Sequence, residues 1–178
     1  MHTTLFRRAG TLALAAALFT GTAVQAADPS ALEARQQDLD VLYQSLERYH
    51  PDLFANTPEA DFLALKAEIE GRLAAESQVD FVLDLQRLAA LAGDSHTQVS
   101  LNAVADQVRF YPVVLTWYDG HWYLTTAEEG QAELLGQEVT AINGHSMAAV
   151  LEAFSTLLSA DNPVKLRRQY RQSCNVAV

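Results

Sequence analysis

Among 178 residues there is one cysteine, and there are only five prolines and eight glycines. A single thiol excludes any disulfide within the chain, so stability has to come from packing. The modest glycine and proline content excludes collagen-like and low-complexity architectures, and no internal repeat is visible. Basic residues are also scarce: 12 Lys and Arg face 22 Asp and Glu, a formal net charge of −10. An acidic surface repels phosphate backbones and anionic lipid heads, which argues against nucleic-acid and membrane-surface roles. There is no glycine-rich phosphate loop and no Gly-x-Ser-x-Gly turn. No two histidines stand at ligand spacing with acidic partners, so neither a metal nor a cofactor is expected. Beyond the N-terminal segment no run is long and apolar enough to cross a bilayer.

That N-terminal segment, 1–26, reads as a secretory signal. Arg7 and Arg8 form the charged start, Leu12 to Phe19 the apolar core and Val24-Gln25-Ala26 the small-residue cleavage site. Cleavage leaves 152 residues of the 178, enough for one compact domain or two small ones, and takes the formal charge from −10 to −12. The mature chain is expected to start near Ala27, outside the cytoplasm, periplasmic or secreted, with no membrane attachment after cleavage.

The next stretch, 27–93, carries three helical patterns. Ser30 with Glu33 predicts a capping box for a helix running to about Tyr49, with Leu39, Leu42, Tyr43, Leu46 and Tyr49 on one face. His50-Pro51 stops it. Asn56 or Thr57 is the expected cap of a second helix, whose apolar face is Phe62, Leu65, Ile69 and Leu73. Ser77 caps a third, with Phe81, Leu85, Leu88 and Leu91, and Gly93 ends it. From 94 to 162 the pattern changes. Thr97, Val99 and Leu101 alternate as in a half-buried strand. Runs from Arg109 to Tyr118 and from His121 to Thr126 flank Asp119-Gly120, a hairpin signal. Leu134 to Gly136 reads as a short helix, Glu138 to Ile142 as a strand, Asn143-Gly144 as a turn and Met147 to Leu158 as a helix. The remaining 163–178 reads as a tail, its Lys165, Arg167, Arg168 and Arg171 the solvated face of a helix in preference to a binding patch. The expected fold class is α+β, a three-helix unit followed by a small β-rich unit with a hairpin and one or two helices.

Chemistry concentrates in Gly93-Asp94-Ser95-His96-Thr97, at the boundary between the two units. His96 is either a general base, oriented by Ser95 or a distant carboxylate, or a histidine satisfied by local backbone. Asp94 either takes part or bonds the amides of its own turn. His50 is expected to pack at a helix end, and His121 and His145 to lie in turns or on the surface. Cys174 has no evident activating base and reads as an incidental free thiol. The aromatics Tyr111, Trp117, Tyr118, Trp122 and Tyr123 read as core more readily than as a ligand platform.

Three segments together resemble the tail-specific (C-terminal-processing) serine peptidases, which include tricorn-like enzymes. They are Asp38 to Tyr43 leading into Tyr49-His50-Pro51-Asp52-Leu53-Phe54, then Leu91 to Thr97, then Leu134 to Gly144. The resemblance implies that the β-rich unit is PDZ-like. In the tricorn-like branch a Ser-His pair after such a helix end supplies part of the catalytic group, which carries over to Ser95 and His96 only. In the other branch a serine–lysine dyad does the chemistry. Both place the nucleophile in a later α/β core, and none of Ser155, Ser159 or Ser173 sits in a strand-to-helix turn. The expectation is therefore the N-terminal, non-catalytic portion of an exported serine peptidase, truncated before its catalytic core and inactive alone. Its partners would be peptide or protein. The alternatives are a complete exported module binding a peptide or protein partner by strand addition to a free hairpin edge, and a small hydrolase using His96.

Overall fold

In the computed structural model, residues 29–177 are described, and the expected signal segment lies outside them. Three helices come first: α1 (Pro29–Tyr49), α2 (Glu59–Arg72) and α3 (Gln78–Ala90). Their apolar residues recur every three or four positions, so each helix turns one stripe inward. Leu39, Tyr43 and Leu46 meet Phe62 and Ile69 from α2 and Phe81 and Leu88 from α3, while Leu53 and Ala92 fill in from the connections. Leu39, Phe62, Ile69 and Leu88 are wholly removed from solvent. Each such side chain contributes about 1.5–3 kcal/mol of transfer free energy.

Local chemistry sets the helix ends, in part as expected. Ser77 accepts the Asp80 N–H, and the Asp80 carboxylate accepts the Ser77 N–H in return. The other two caps differ from expectation. α1 already includes Pro29, so Ser30 lies inside its first turn. α2 follows Pro58, which makes no side-chain cap. Asn56 and Thr57 thus stand outside the capping position, and the Asn56 amide donates to the Ala92 carbonyl at 3.0 Å instead. Gly93 has φ +67°, and a Cβ on it would come within 3.0 Å of the Asn56 side chain. Left-handed backbone and close approach both demand glycine there.

A buried charge knot locks α2 to α3. Asp84, 1% exposed, receives Arg72 Nε at 2.5 Å and Arg87 Nη1 at 2.7 Å. The Glu76 carboxyl beside it is buried, and neither of its oxygens accepts a hydrogen bond. Burial, and then the neighbouring Asp84 carboxylate, push Glu76 up to about 7 against the pull of Arg72 and Arg35. Burial acts to raise Asp84 as well, but the hydrogen bonds that Arg72 and Arg87 donate to it outweigh burial and hold Asp84 below its ordinary value. The proton of this pair therefore resides on Glu76.

The strand expected over Thr97 to Leu101 is not formed. The Val99 N–H is taken by the Gln86 side chain at 2.6 Å, and no neighbouring strand pairs with the segment. A 3₁₀ turn, Leu101–Val104, follows and buries Val104 completely. The run from Arg109 to Tyr118 divides at Pro112 into β1 (Arg109–Phe110) and β2 (Val114–Tyr118). β2 pairs antiparallel with β3 (His121–Thr126), Trp117 opposite Trp122 and Tyr118 opposite His121. Asp119 (φ +46°) and Gly120 (φ +88°) make the left-handed two-residue turn that matches strand twist. A second tight pair, β4 (Ala141–Ile142) and β5 (His145–Ser146), turns at Asn143-Gly144 and leads into α4 (Met147–Ser155). Leu134 closes a short 3₁₀ segment, Glu129–Leu134, and Glu138 contributes an isolated bridge to Tyr123 in place of a longer strand.

The largest departure is that the segment expected as a tail with a solvated helix face packs into a core. Pro163–Ser173 is a helix, α5, capped by Asn162, and β6 (Val176–Ala177) pairs with β1. Tyr170, 1% exposed, sets its ring edge-on to Trp122 and Phe154, each 5.0 Å away. With Leu115 and Met147 these form a second core. The basic residues of α5 are correspondingly engaged in part: Arg167 lies 4.9 Å over the Trp117 ring, and Arg171 Nε donates to Thr116 Oγ1. The hairpin's β3 edge is not free. Residues 136–139 bond along β3 at Trp122 and Leu124, and the Leu115 N–H of β2 points at Cys174 Sγ. The architecture is α+β: helices, then a small region of paired strands closed by two further helices.

Two outcomes follow from this packing. Tyr170→Ala is expected to cost about 3–5 kcal/mol in chemical denaturation, against less than about 0.5 kcal/mol for the exposed Tyr49→Ala. Equal small effects would show that α5 is not part of the core. For Glu76, the folded protein keeps between pH 4.5 and about 7 a proton that the unfolded chain has released. Wild-type stability should therefore fall across that window, by up to about 3 kcal/mol. Glu76→Gln should abolish the slope, as read by denaturation midpoints at a series of pH values.

Candidate functional site

The segment Gly93 to Thr97 leaves the C-terminus of α3 and passes the C-terminus of α1. A short, polar connection at that crossing has backbone amides to satisfy, and Asp94 satisfies them. Its Oδ1 accepts the N–H groups of His96 and of Thr97, the latter at 2.8 Å. Its Oδ2 accepts the Thr97 hydroxyl at 2.6 Å and His50 Nε2 at 2.8 Å. Burial acts to raise the Asp94 carboxyl, but the Thr97 hydroxyl, His50 and the two amides outweigh it. The group is held well below the ordinary carboxylate range.

His50 looks at first like the base of an acid–histidine pair. Its other nitrogen decides otherwise: Nδ1 accepts the Asp52 N–H at 3.2 Å. An amide can only donate, so Nδ1 is unprotonated and Nε2 carries the hydrogen that Asp94 receives. Neither nitrogen is left with a free lone pair to take a proton from a nucleophile. The Thr97 hydroxyl that shares Asp94 donates to the carboxylate and not to the ring. A cavity of about 330 Å³ lies against His50, lined by Ser45, Leu46, Tyr49, Pro51 and Thr97, and it contains no acid or thiol.

Ser95 and His96 follow different directions. Ser95 Oγ donates to Asp161 Oδ1 at 2.8 Å, across the joint to the segment before α5. His96 is exposed, anchored through its backbone by Asp94, and its ring makes no hydrogen bond among the described residues. The structure thus brings Ser95 to Asp161, not to His96. Gln86 completes the joint: its Nε2 donates to the Leu157 carbonyl at 2.7 Å while its Oε1 holds Val99. His121 pairs with Glu138 at 2.7 Å on the surface of the hairpin, and His145 is exposed in β5. Cys174 is half-buried, and burial pushes its thiol up, the opposite of an activated nucleophile. Ser155 Oγ donates to the Glu152 carbonyl within its own helix.

No family model matches this sequence, and no curated protein matches it at a significant level. The chemistry has to be read from the site alone.

Sequence reasoning placed Asp94 and His50 each at a helix end but did not join them. The two lie 44 positions apart. The signal for each half was there, His-Pro closing one helix and Gly-Asp closing another. Their meeting depends on how α1 and α3 pack.

Because Asp94 is depressed in the folded state, its contribution is present above the unfolded value of 3.8 and is lost as pH falls below it. Asp94→Asn is therefore expected to cost about 1–3 kcal/mol at neutral pH, with the gap to wild type closing under acid. A gap that stays constant down to about pH 2 would show that the charge is irrelevant to the joint.

Proposed function

We propose that this chain is a non-catalytic portion of an exported serine peptidase of the tail-specific, tricorn-like type, the part that holds peptide rather than cuts it. One observation carries the reading: in the Asp94 to Thr97 joint, the His96 ring alone is uncommitted, and no nucleophile stands beside it. His50, Asp94, Ser95 and Thr97 all spend their polar atoms on holding the joint together. A base without a positioned nucleophile and oxyanion donors gives no acyl transfer. In this reading the catalytic group is completed elsewhere in the enzyme, and of Ser95 and His96 only the His96 imidazole is available to it, Ser95 being held by Asp161. An exposed imidazole on an anchored backbone suits that role. The paired strands and α4 take the place of a PDZ-like unit, and the partners are peptides or proteins outside the cytoplasm.

A self-sufficient binding module is the second reading, favoured by exposed aromatics. Phe110 is 70% exposed, the adjacent Tyr111 58% and Tyr118 73%, aromatic surface open to a peptide or protein partner. Both readings expect the purified chain to hydrolyse no unstructured peptide above background and to resist a fluorophosphonate probe for activated serine. Turnover or labelling that disappears in His96→Ala would overturn both.

A further inference from the structure

A cleft of about 290 Å³ opens where the joint meets α5. Part of its polar lining is spoken for, since Gln86 and Ser95 bridge the two halves of the molecule. Of the rest, four groups bear on a ligand. Ser159 is only 3% exposed, yet its Oγ has no hydrogen-bond partner. Gln169 donates its Nε2 to the Ser159 carbonyl, but its buried Oε1 accepts from nothing. Lys165 and Arg168 reach the same cleft, and neither pairs with a carboxylate among the described residues. The nearby Asp161 is engaged by Ser95 and Asn162. A buried hydroxyl and a buried amide oxygen left unpaired each cost on the order of 1–3 kcal/mol, and both side chains belong to the wall of this cleft.

An apolar pocket of about 280 Å³, with Leu83, Val99, Leu101 and Phe154 in its wall, adjoins the cleft and shares Leu157 and Leu158 with it. The three kinds of surface define one ligand chemistry. Two unpaired cations call for an anion, and the guanidinium suits a carboxylate. Gln169 Oε1 calls for a donor close to that anion. The apolar wall calls for a hydrocarbon side chain.

We propose that this cleft binds a small carboxylate with a hydrogen-bond donor on the neighbouring carbon and an apolar side chain, a 2-hydroxy or 2-amino acid. The carboxylate lies between Lys165 and Arg168, the donor on Gln169 Oε1 with Ser159 Oγ beside it, and the side chain against Leu157 and Phe154. The assignment rests on these groups alone and holds whether or not the chain belongs to a peptidase.

The test is calorimetric titration of the purified protein with 2-hydroxy-4-methylpentanoate, L-leucine, 4-methylpentanoate and inorganic phosphate. Saturable binding of one of the first two is expected, with 4-methylpentanoate about tenfold weaker or more for want of the donor. Arg168→Ala changes an exposed side chain and should weaken binding by a similar factor without loss of stability. Ser159→Ala removes only the unpartnered hydroxyl, so it should weaken binding while leaving the unliganded protein as stable as wild type or more so. No saturable binding of either donor-bearing acid overturns the proposal. So does equal binding of 4-methylpentanoate, binding of phosphate alone, or binding indifferent to Arg168→Ala.

Discussion

The Asp94 carboxylate accepts four hydrogen bonds, from the His50 ring, the Thr97 hydroxyl and the amides of His96 and Thr97. It replaces, for a segment with no strand partner, the backbone bonding that a sheet would have supplied. The direction of the chain after α3 depends on it, and so does everything the joint touches. With the amides of His96 and Thr97 fixed, Ser95 is aimed at Asp161 and Val99 at Gln86. The same four bonds explain why a histidine and an aspartate 2.8 Å apart form a clamp here and not a catalytic pair. An imidazole that donates to a carboxylate with one nitrogen and accepts a backbone amide with the other has no lone pair left for a nucleophile's proton.

Two apolar cores stand on either side of this joint. The helical one gathers its residues from α1, α2 and α3, and the second centres on Tyr170 between Trp122 and Phe154. Hydrogen bonds cross between them, Gln86 to Leu157 and Ser95 to Asp161, beside an apolar pocket that Leu83 shares with Phe154 and Leu157. Polar contacts of this kind contribute about 0.5–1.5 kcal/mol each, far less than either core. A cleft between the halves can therefore keep unpaired groups such as Ser159 Oγ without threatening the fold. Function-bearing cavities commonly occur at such seams.

Elements whose cause is local were legible in the sequence. The Ser77 cap, the left-handed Gly93 and the Asp119-Gly120 turn each follow from a few adjacent residues, and the structure has all three. The apolar stripes of α1, α2 and α3 were visible for the same reason, because a 3.6-residue period is written along the chain. The misreadings were of segments whose fate depends on distant partners. Thr97 to Leu101 alternates like a strand, yet no strand is near enough to pair with it. The segment 163–173 looks too polar to pack, with a single tyrosine among its basic residues, but that tyrosine fills the space between Trp122 and Phe154.

By itself, then, the sequence determined an acidic, disulfide-free α+β chain with chemistry gathered at Gly93 to Thr97, since charge, thiol count and short-range spacing need no folding to be read. Only the tertiary structure decided what those residues do. Hydrogen bonds span a few ångströms, and the partners that claimed Asp94 and Ser95 lie 44 and 66 positions away along the chain. Local pattern carries no information about which helix ends will meet. Packing of the two cores chose those meetings, and with them turned one histidine into a clamp and left the other exposed to solvent.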